Sequence, residues 1–181
     1  MSRTADAGSR PGAAPRSRQP GFTLIELMVT LAVAGILAVV AVPAMTSLIN
    51  GNRLAGTSGD LTASLQLARS EAIRRNARVT ICGTTDGANC SADWSRWIVT
   101  GLDNVSGTTD TIRDAAVTGA TQVSGPATGI VFLPSGMIAA QETLTACVPT
   151  TSPNENQRVI TVMISGSIVT TRAGTGAGTC P

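Results

Sequence analysis

Gly21-Phe22-Thr23-Leu24-Ile25-Glu26-Leu27-Met28-Val29-Thr30-Leu31 opens an apolar run that continues to Val42. Phe22 to Val42 is 21 residues; as a helix rising ~1.5 Å per residue it spans about 32 Å, enough for a ~30 Å hydrocarbon core. One carboxylate, Glu26, lies inside the run. An acid at that depth is costly unless something pairs with it, so Glu26 is a functional residue by default. The residues ahead of Gly21 are mostly Pro, Gly, Ser, Ala and Arg, without apolar periodicity. They read as a disordered cytoplasmic leader whose arginines satisfy the positive-inside preference.

A secretory signal peptide is the rival reading of this segment. Its cleavage site follows the apolar region, and Ala32-Val33-Ala34 supplies the small residues it needs. That reading leaves both Glu26 and the Gly21-Phe22 junction unexplained.

Beyond Val42 the helical pattern persists. Leu61, Leu65, Ala68 and Ala72 recur at i, i+4, i+7 and i+11, one stripe of an amphipathic helix. Arg69, Glu71, Arg74 and Arg75 fall on other faces. One helix from Phe22 to about Asn76 is expected, ~80 Å long, with a kink at Pro43, which removes an i→i−4 hydrogen bond. Gly51, Gly56 and Gly59 each weaken the next stretch by ~1 kcal/mol relative to alanine. The organisation expected is a leader at 1–21, a membrane or filament-core helix at 22–42, an amphipathic continuation at 43–76 and a β-rich domain at 77–181.

Within that domain, short β-branched runs lie between Gly, Asp, Asn, Ser and Pro clusters. Strands are expected at Val79–Cys82, Trp97–Thr100, Thr111–Val117, Gly129–Leu133, Leu144–Val148, Val159–Ile164 and Ile168–Thr171. They should form an antiparallel sheet with one face on the helix stripe, an α+β fold. Connections at 101–110, 118–128 and 149–157 read as exposed, and Ala173–Gly178 as floppy unless Cys180 is bridged.

Composition narrows the chemistry. All 13 basic residues are arginine, and histidine, lysine and tyrosine are absent. Without the leader, nine arginines face ten acids, so the formal charge falls from +2 to −1. The basicity belongs to the leader and gives no global support for nucleic-acid binding. The lack of histidine excludes Ser-His-Asp and Cys-His catalysis and any His-ligated metal. A Ser-Lys pair is excluded by the lack of lysine, and the acids form no paired motif. No cofactor or metal is implied, and the expectation is a protein that is not an enzyme.

The four cysteines, Cys82, Cys90, Cys147 and Cys180, contain no Cys-x-x-Cys pair, which argues against zinc. An even count beyond a membrane segment favours disulfides in an oxidising compartment. Three pairings are possible. Cys82–Cys90, a short hairpin clamp, with Cys147–Cys180, a pin for the tail, is the favoured one; buried free thiols are the alternative.

The residues Gly21 to Leu27 resemble the processing site of type IV pilins and of type II secretion pseudopilins. A second block, Leu65-Gln66-Leu67-Ala68-Arg69-Ser70-Glu71-Ala72-Ile73-Arg74-Arg75, then Val79-Thr80-Ile81-Cys82 and Cys90, resembles the GspH/FimT branch of minor pseudopilins and minor pilins. Phe132, Gly136 and the Arg158-Val159-Ile160 run are compatible with it. The resemblance implies a long N-terminal helix packed on a β-domain, in a low-copy subunit of a helical filament, at or near its tip. It further implies cleavage after Gly21 by the prepilin peptidase, methylation of the new N-terminal Phe22, and an inner-membrane, single-pass location with the domain in the periplasm. The implied partners are other major and minor subunits and the inner-membrane assembly platform. Glu26 is then expected to accept the N-terminal amine of a neighbouring subunit, and Pro43 with the nearby glycines to permit bending on assembly. The filament is either a secretion pseudopilus or a type IV pilus.

A DNA-binding minor pilin of the same branch is the alternative. Arg69, Arg74, Arg75 and Arg78 form a basic cluster able to hold phosphates, with Arg172 further along. A solvated helix end explains the same cluster, because cations suit a helix C-terminus. The branch's DNA-binding pilins carry Gly-Arg-x-Arg near the C-terminus, and the best match here, Gly166-Ser167-Ile168-Val169, lacks both arginines.

Overall fold

The computed structural model describes residues 21–103, 106–174 and 178–181. Residues 1–20 of the expected leader at 1–21, and part of the expected loose tail, lie outside them. The chain divides into two compact units, one ending at Val39 and one running from Val40 to Pro181.

The first element is the helix α1, Leu24–Arg75, with helical assignment continuing across Pro43 and the three glycines. Its N-terminus is capped by Thr23, whose Oγ1 accepts the Glu26 N–H at 3.3 Å while its carbonyl accepts the Leu27 N–H at 3.2 Å. Its C-terminus stops at Asn76, which adopts a left-handed φ of 49°. Asn76 N–H donates to Ile73 O at 3.3 Å and Ala77 N–H to Ala72 O at 3.2 Å, the paired bonds of a Schellman motif. Ala72 and Ala77, the two positions whose apolar side chains accompany that motif, are both buried.

Among the described residues eight strands follow: β1 (Val79–Gly83), β2 (Arg96–Leu102), β3 (Thr109–Ala116), β4 (Gln122–Ser124), β5 (Ile130–Phe132), β6 (Glu142–Cys147), β7 (Gln157–Val162) and β8 (Ile168–Ala173). They form two four-stranded sheets, ordered β3-β2-β1-β5 and β4-β6-β7-β8, rather than one. All the pairings are antiparallel.

The core lies between these sheets and the second half of α1. Leu54, Leu61, Leu65, Ala68 and Ala72 are buried together with Val79, Ile81, Val99, Phe132, Leu144, Ile160 and Val162. The helix stripe is therefore the sheet-facing stripe. Trp94 and Trp97 are the largest fully buried side chains, in a chain with only two phenylalanines and no tyrosine.

Two expected exposed connections carry more structure than their composition suggests. Segment 118–128 contains β4, whose three residues pair with Thr145–Cys147; a run that short shows no readable alternation. Segment 149–157 ends in buried Asn156 and Gln157. Asn156 Nδ2 donates to Val148 O at 3.0 Å, and Val148 N–H donates to Asn156 O at 3.0 Å, so the loop closes on itself.

Candidate processing and assembly site

At the start of the described chain, Gly21, Phe22 and Thr23 precede the helix in non-helical conformation, and all are exposed. Among the described residues nothing lies within 4 Å of the position a Cβ on Gly21 would take, which suits close approach to its backbone. Phe22 is 85% exposed. Glu26 stands three residues after the cap, the N3 position, where a carboxylate also suits the positive end of the helix dipole. Among the described residues the Glu26 carboxylate has no hydrogen-bond or ion-pair partner, and the apolar side chains around it, Leu24, Ile25, Leu27, Met28 and Val29, are all exposed. α1 is long and apolar enough to cross a bilayer by length and composition.

The expected nucleic-acid arginines meet different partners. Arg69 donates Nε–H to Gly136 O at 3.1 Å and Nη2–H to Ser165 O at 3.2 Å. It thereby ties α1 to two turns, one from each sheet. Arg74 and Arg75 both bond Glu71, at 2.5 and 2.8 Å, and Arg75 Nη1 reaches Asp110 at 2.6 Å on β3. The guanidinium of Arg74, then that of Arg75, holds the Glu71 carboxyl below its ordinary range. Hydrogen bonding to Asp110 and Glu71 raises Arg75. Arg78 is exposed between α1 and β1, and Arg172 is exposed on β8, 3.8 Å from Glu155.

The cysteines form two bridges. Cys82–Cys90, with Cα atoms 5.5 Å apart, closes the turn after β1; Cys147–Cys180, at 5.6 Å, holds the C-terminus against β6. Sequence reasoning missed the turn inside the first bridge. There Asp86 accepts the backbone N–H and the side-chain Nδ2–H of Asn89 and the backbone N–H of Ala88, all at 2.8 Å, and these bonds keep its carboxyl well below the usual range. It also missed Ser64, which is buried on the apolar stripe and accepts the Trp97 Nε1–H at 2.9 Å. A serine among Leu61, Leu65 and Ala68 was the available signal, since a buried hydroxyl requires a partner.

A capped apolar helix continuing into an amphipathic half packed on antiparallel sheets is the pilin architecture, and comparison with solved structures agrees. The type IV minor pilin FimU of Pseudomonas aeruginosa superposes with a TM-score of 0.52 at 21% identity, covering 65% of this chain and 87% of that one. The minor pseudopilin EpsH from the type 2 secretion system of Vibrio cholerae gives 0.51 at 17% identity, covering 66% and 97%. At sequence level, a type IV major alpha-pilin of Moraxella bovis is 49% identical over 45 residues, 25% of this chain and 28% of that protein. A fimbrial protein of Moraxella nonliquefaciens is 30% identical over 89 residues, 49% of each. The chain thus spans about half the length, or less, of these curated relatives. A model of the prokaryotic N-terminal methylation motif matches residues 16–42. The model of the type II transport protein GspH matches residues 57–167, more than half of the sequence, and the chain belongs to that family.

Proposed function

We propose that this chain is a minor pilin-class structural subunit that acts by assembly rather than by catalysis. The prepilin peptidase removes the leader after Gly21, Phe22 becomes the methylated N-terminus, and residues 22–42 anchor the chain in the inner membrane with the β-domain in the periplasm. The assembly platform then draws it into a filament at or near the tip, either a type II secretion pseudopilus or a type IV pilus. The observation that carries this reading is the segment itself: an N-terminal methylation motif leading into an exposed apolar helix with one carboxylate in its first turn, without a partner among the described residues.

In the filament Glu26 accepts the Phe22 amine of a neighbouring subunit. Two groups that are each costly to desolvate alone offset one another and set the axial register. Pro43 and the glycines after it supply the compliance that packing requires. Of the two environments open to the apolar helix, lipid serves before assembly and other helices serve after it.

The arginine geometry supports the structural reading over the DNA-binding one, because Arg74 and Arg75 are already ion-paired with Glu71 and Asp110. The test is replacement of Glu26. Glu26→Gln and Glu26→Val should leave membrane insertion intact and reduce recovery of the subunit with sheared filaments about tenfold or more, the equivalent of losing one buried charge pair. Normal recovery of both variants would falsify the register role.

A further inference from the structure

Beside the two turns that Arg69 joins lies an open groove of about 410 Å³ between α1 and the start of β8. Its walls include Gln66, Arg69 and Ile73 from the helix and Gly166, Ser167 and Ile168 from the β7–β8 hairpin. Arg69 is its one charged side chain, and no acid lies within ion-pairing distance of it among the described residues. The carbonyls of Gly136 and Ser165 orient the guanidinium without neutralising it. Ile73, 53% exposed, adds apolar surface beside it.

The groove runs on into a free sheet edge, since β8 is the last strand of its sheet. Met163 N–H donates to Ser167 O at 2.8 Å at the hairpin end, and the register then pairs Val162 with Ile168, Thr161 with Val169 and Ile160 with Thr170. Hydrogen-bonded pairs alternate along an antiparallel ladder. The backbone groups of Val169 and Thr171 therefore face β7, and those of Ile168, Thr170 and Arg172 face outward. The edge is β-branched, contains no proline, and carries a single charge, so it lacks most of the devices that discourage strand addition.

The geometry points to β8 and the Arg69 groove as one docking surface for an extended segment of a neighbouring pilin-class subunit, a segment that pairs antiparallel to β8 and places a carboxylate at Arg69. This inference rests on the filament reading above and adds the contact through which the globular domain engages its neighbour. Charge complementarity selects an acidic occupant. The outward N–H and C=O groups select a polypeptide over a nucleic acid, which needs several cations and has no use for alternating backbone donors.

Photocrosslinking in cells that assemble the filament tests it, with the full chain carrying a photoreactive residue at exposed Gln66 and, as reference, at Leu27 in the apolar helix. The expected result at Gln66 is an adduct with another filament subunit, its crosslinked peptide mapping to an extended segment that contains Asp or Glu. Thr170→Pro removes one outward N–H and no ladder bond, an exchange edge strands tolerate. Ser167→Asp places a competing carboxylate beside Arg69. Each should lower the Gln66 adduct about tenfold, whereas Thr170→Val and Ser167→Asn retain it. Leu27 adducts persisting without any at Gln66 would overturn the groove and leave the assembly reading standing. Loss of adducts at both positions would remove both. Adducts with nucleic acid or lipid at Gln66, or adducts indifferent to Thr170→Pro and Ser167→Asp, would also overturn the inference.

Discussion

Trp97 donates its indole N–H to Ser64 Oγ at 2.9 Å across the buried interface between α1 and β2, and Ser64 in turn donates to Asp60 O at 2.7 Å. Both side chains are buried. This bond lets the bulkiest residue type of the core occupy the helix-facing side without an orphaned donor. Ser64→Ala should lower unfolding free energy by about 1–3 kcal/mol, because the indole N–H stays buried without its acceptor. In Trp97→Phe the serine loses its donor and the ring loses volume, so the double variant should cost less than the two single costs added. Denaturant unfolding of the full chain in detergent, followed through the remaining tryptophan, checks this; strict additivity would mean the two residues are not coupled.

The two disulfides should contribute unequally. Cys147 and Cys180 are 33 residues apart and Cys82 and Cys90 are 8 apart. In the chain-entropy account the longer loop is worth about 3.5–4 kcal/mol and the shorter about 2.5 kcal/mol. Replacing each pair by serine and comparing denaturation midpoints should give the larger loss for Cys147/Cys180. Its loss should also free the C-terminal residues to rapid proteolysis, which sequencing of the released peptides reads.

Acid should loosen the helix end before it unfolds the domain. Glu71 has its folded-state pKa depressed by Arg74 and Arg75 from an ordinary 4.5. A depressed carboxyl contributes stability that is present above the unfolded value and lost as pH falls through the folded one. The loss therefore begins near pH 4.5 and continues below it. Glu71→Gln should cost about 0.5–1 kcal/mol at neutral pH and flatten the acid side of the stability profile. A profile with unchanged acid slope would place the depression elsewhere.

How much of this was legible before folding differs by element. The stripe of Leu61, Leu65, Ala68 and Ala72 repeats at the 3.6-residue period that only a helix produces, so the helix and its buried face could be read directly. The N-terminal segment was readable because a carboxylate in an apolar run is anomalous on its own. β4 was not readable, since Gln122-Val123-Ser124 becomes a strand only through its partners Thr145–Cys147. The split into two sheets was hidden for the same reason, because pairing is a long-range property. Arg69 was read as part of a basic cluster, yet its acceptors Gly136 and Ser165 are 67 and 96 residues away. The twin turns Pro134-Ser135-Gly136 and Ile164-Ser165-Gly166, each with its glycine at positive φ, were the only local hint.

The proposed function stands on a processing junction at Gly21-Phe22, which sets the mature N-terminus four residues before Glu26. The mass of the N-terminal peptide from protein purified out of cells that assemble the filament tests this most directly. The expected first residue is N-methylated Phe22. An intact leader, or a chain beginning after Ala34, would contradict it.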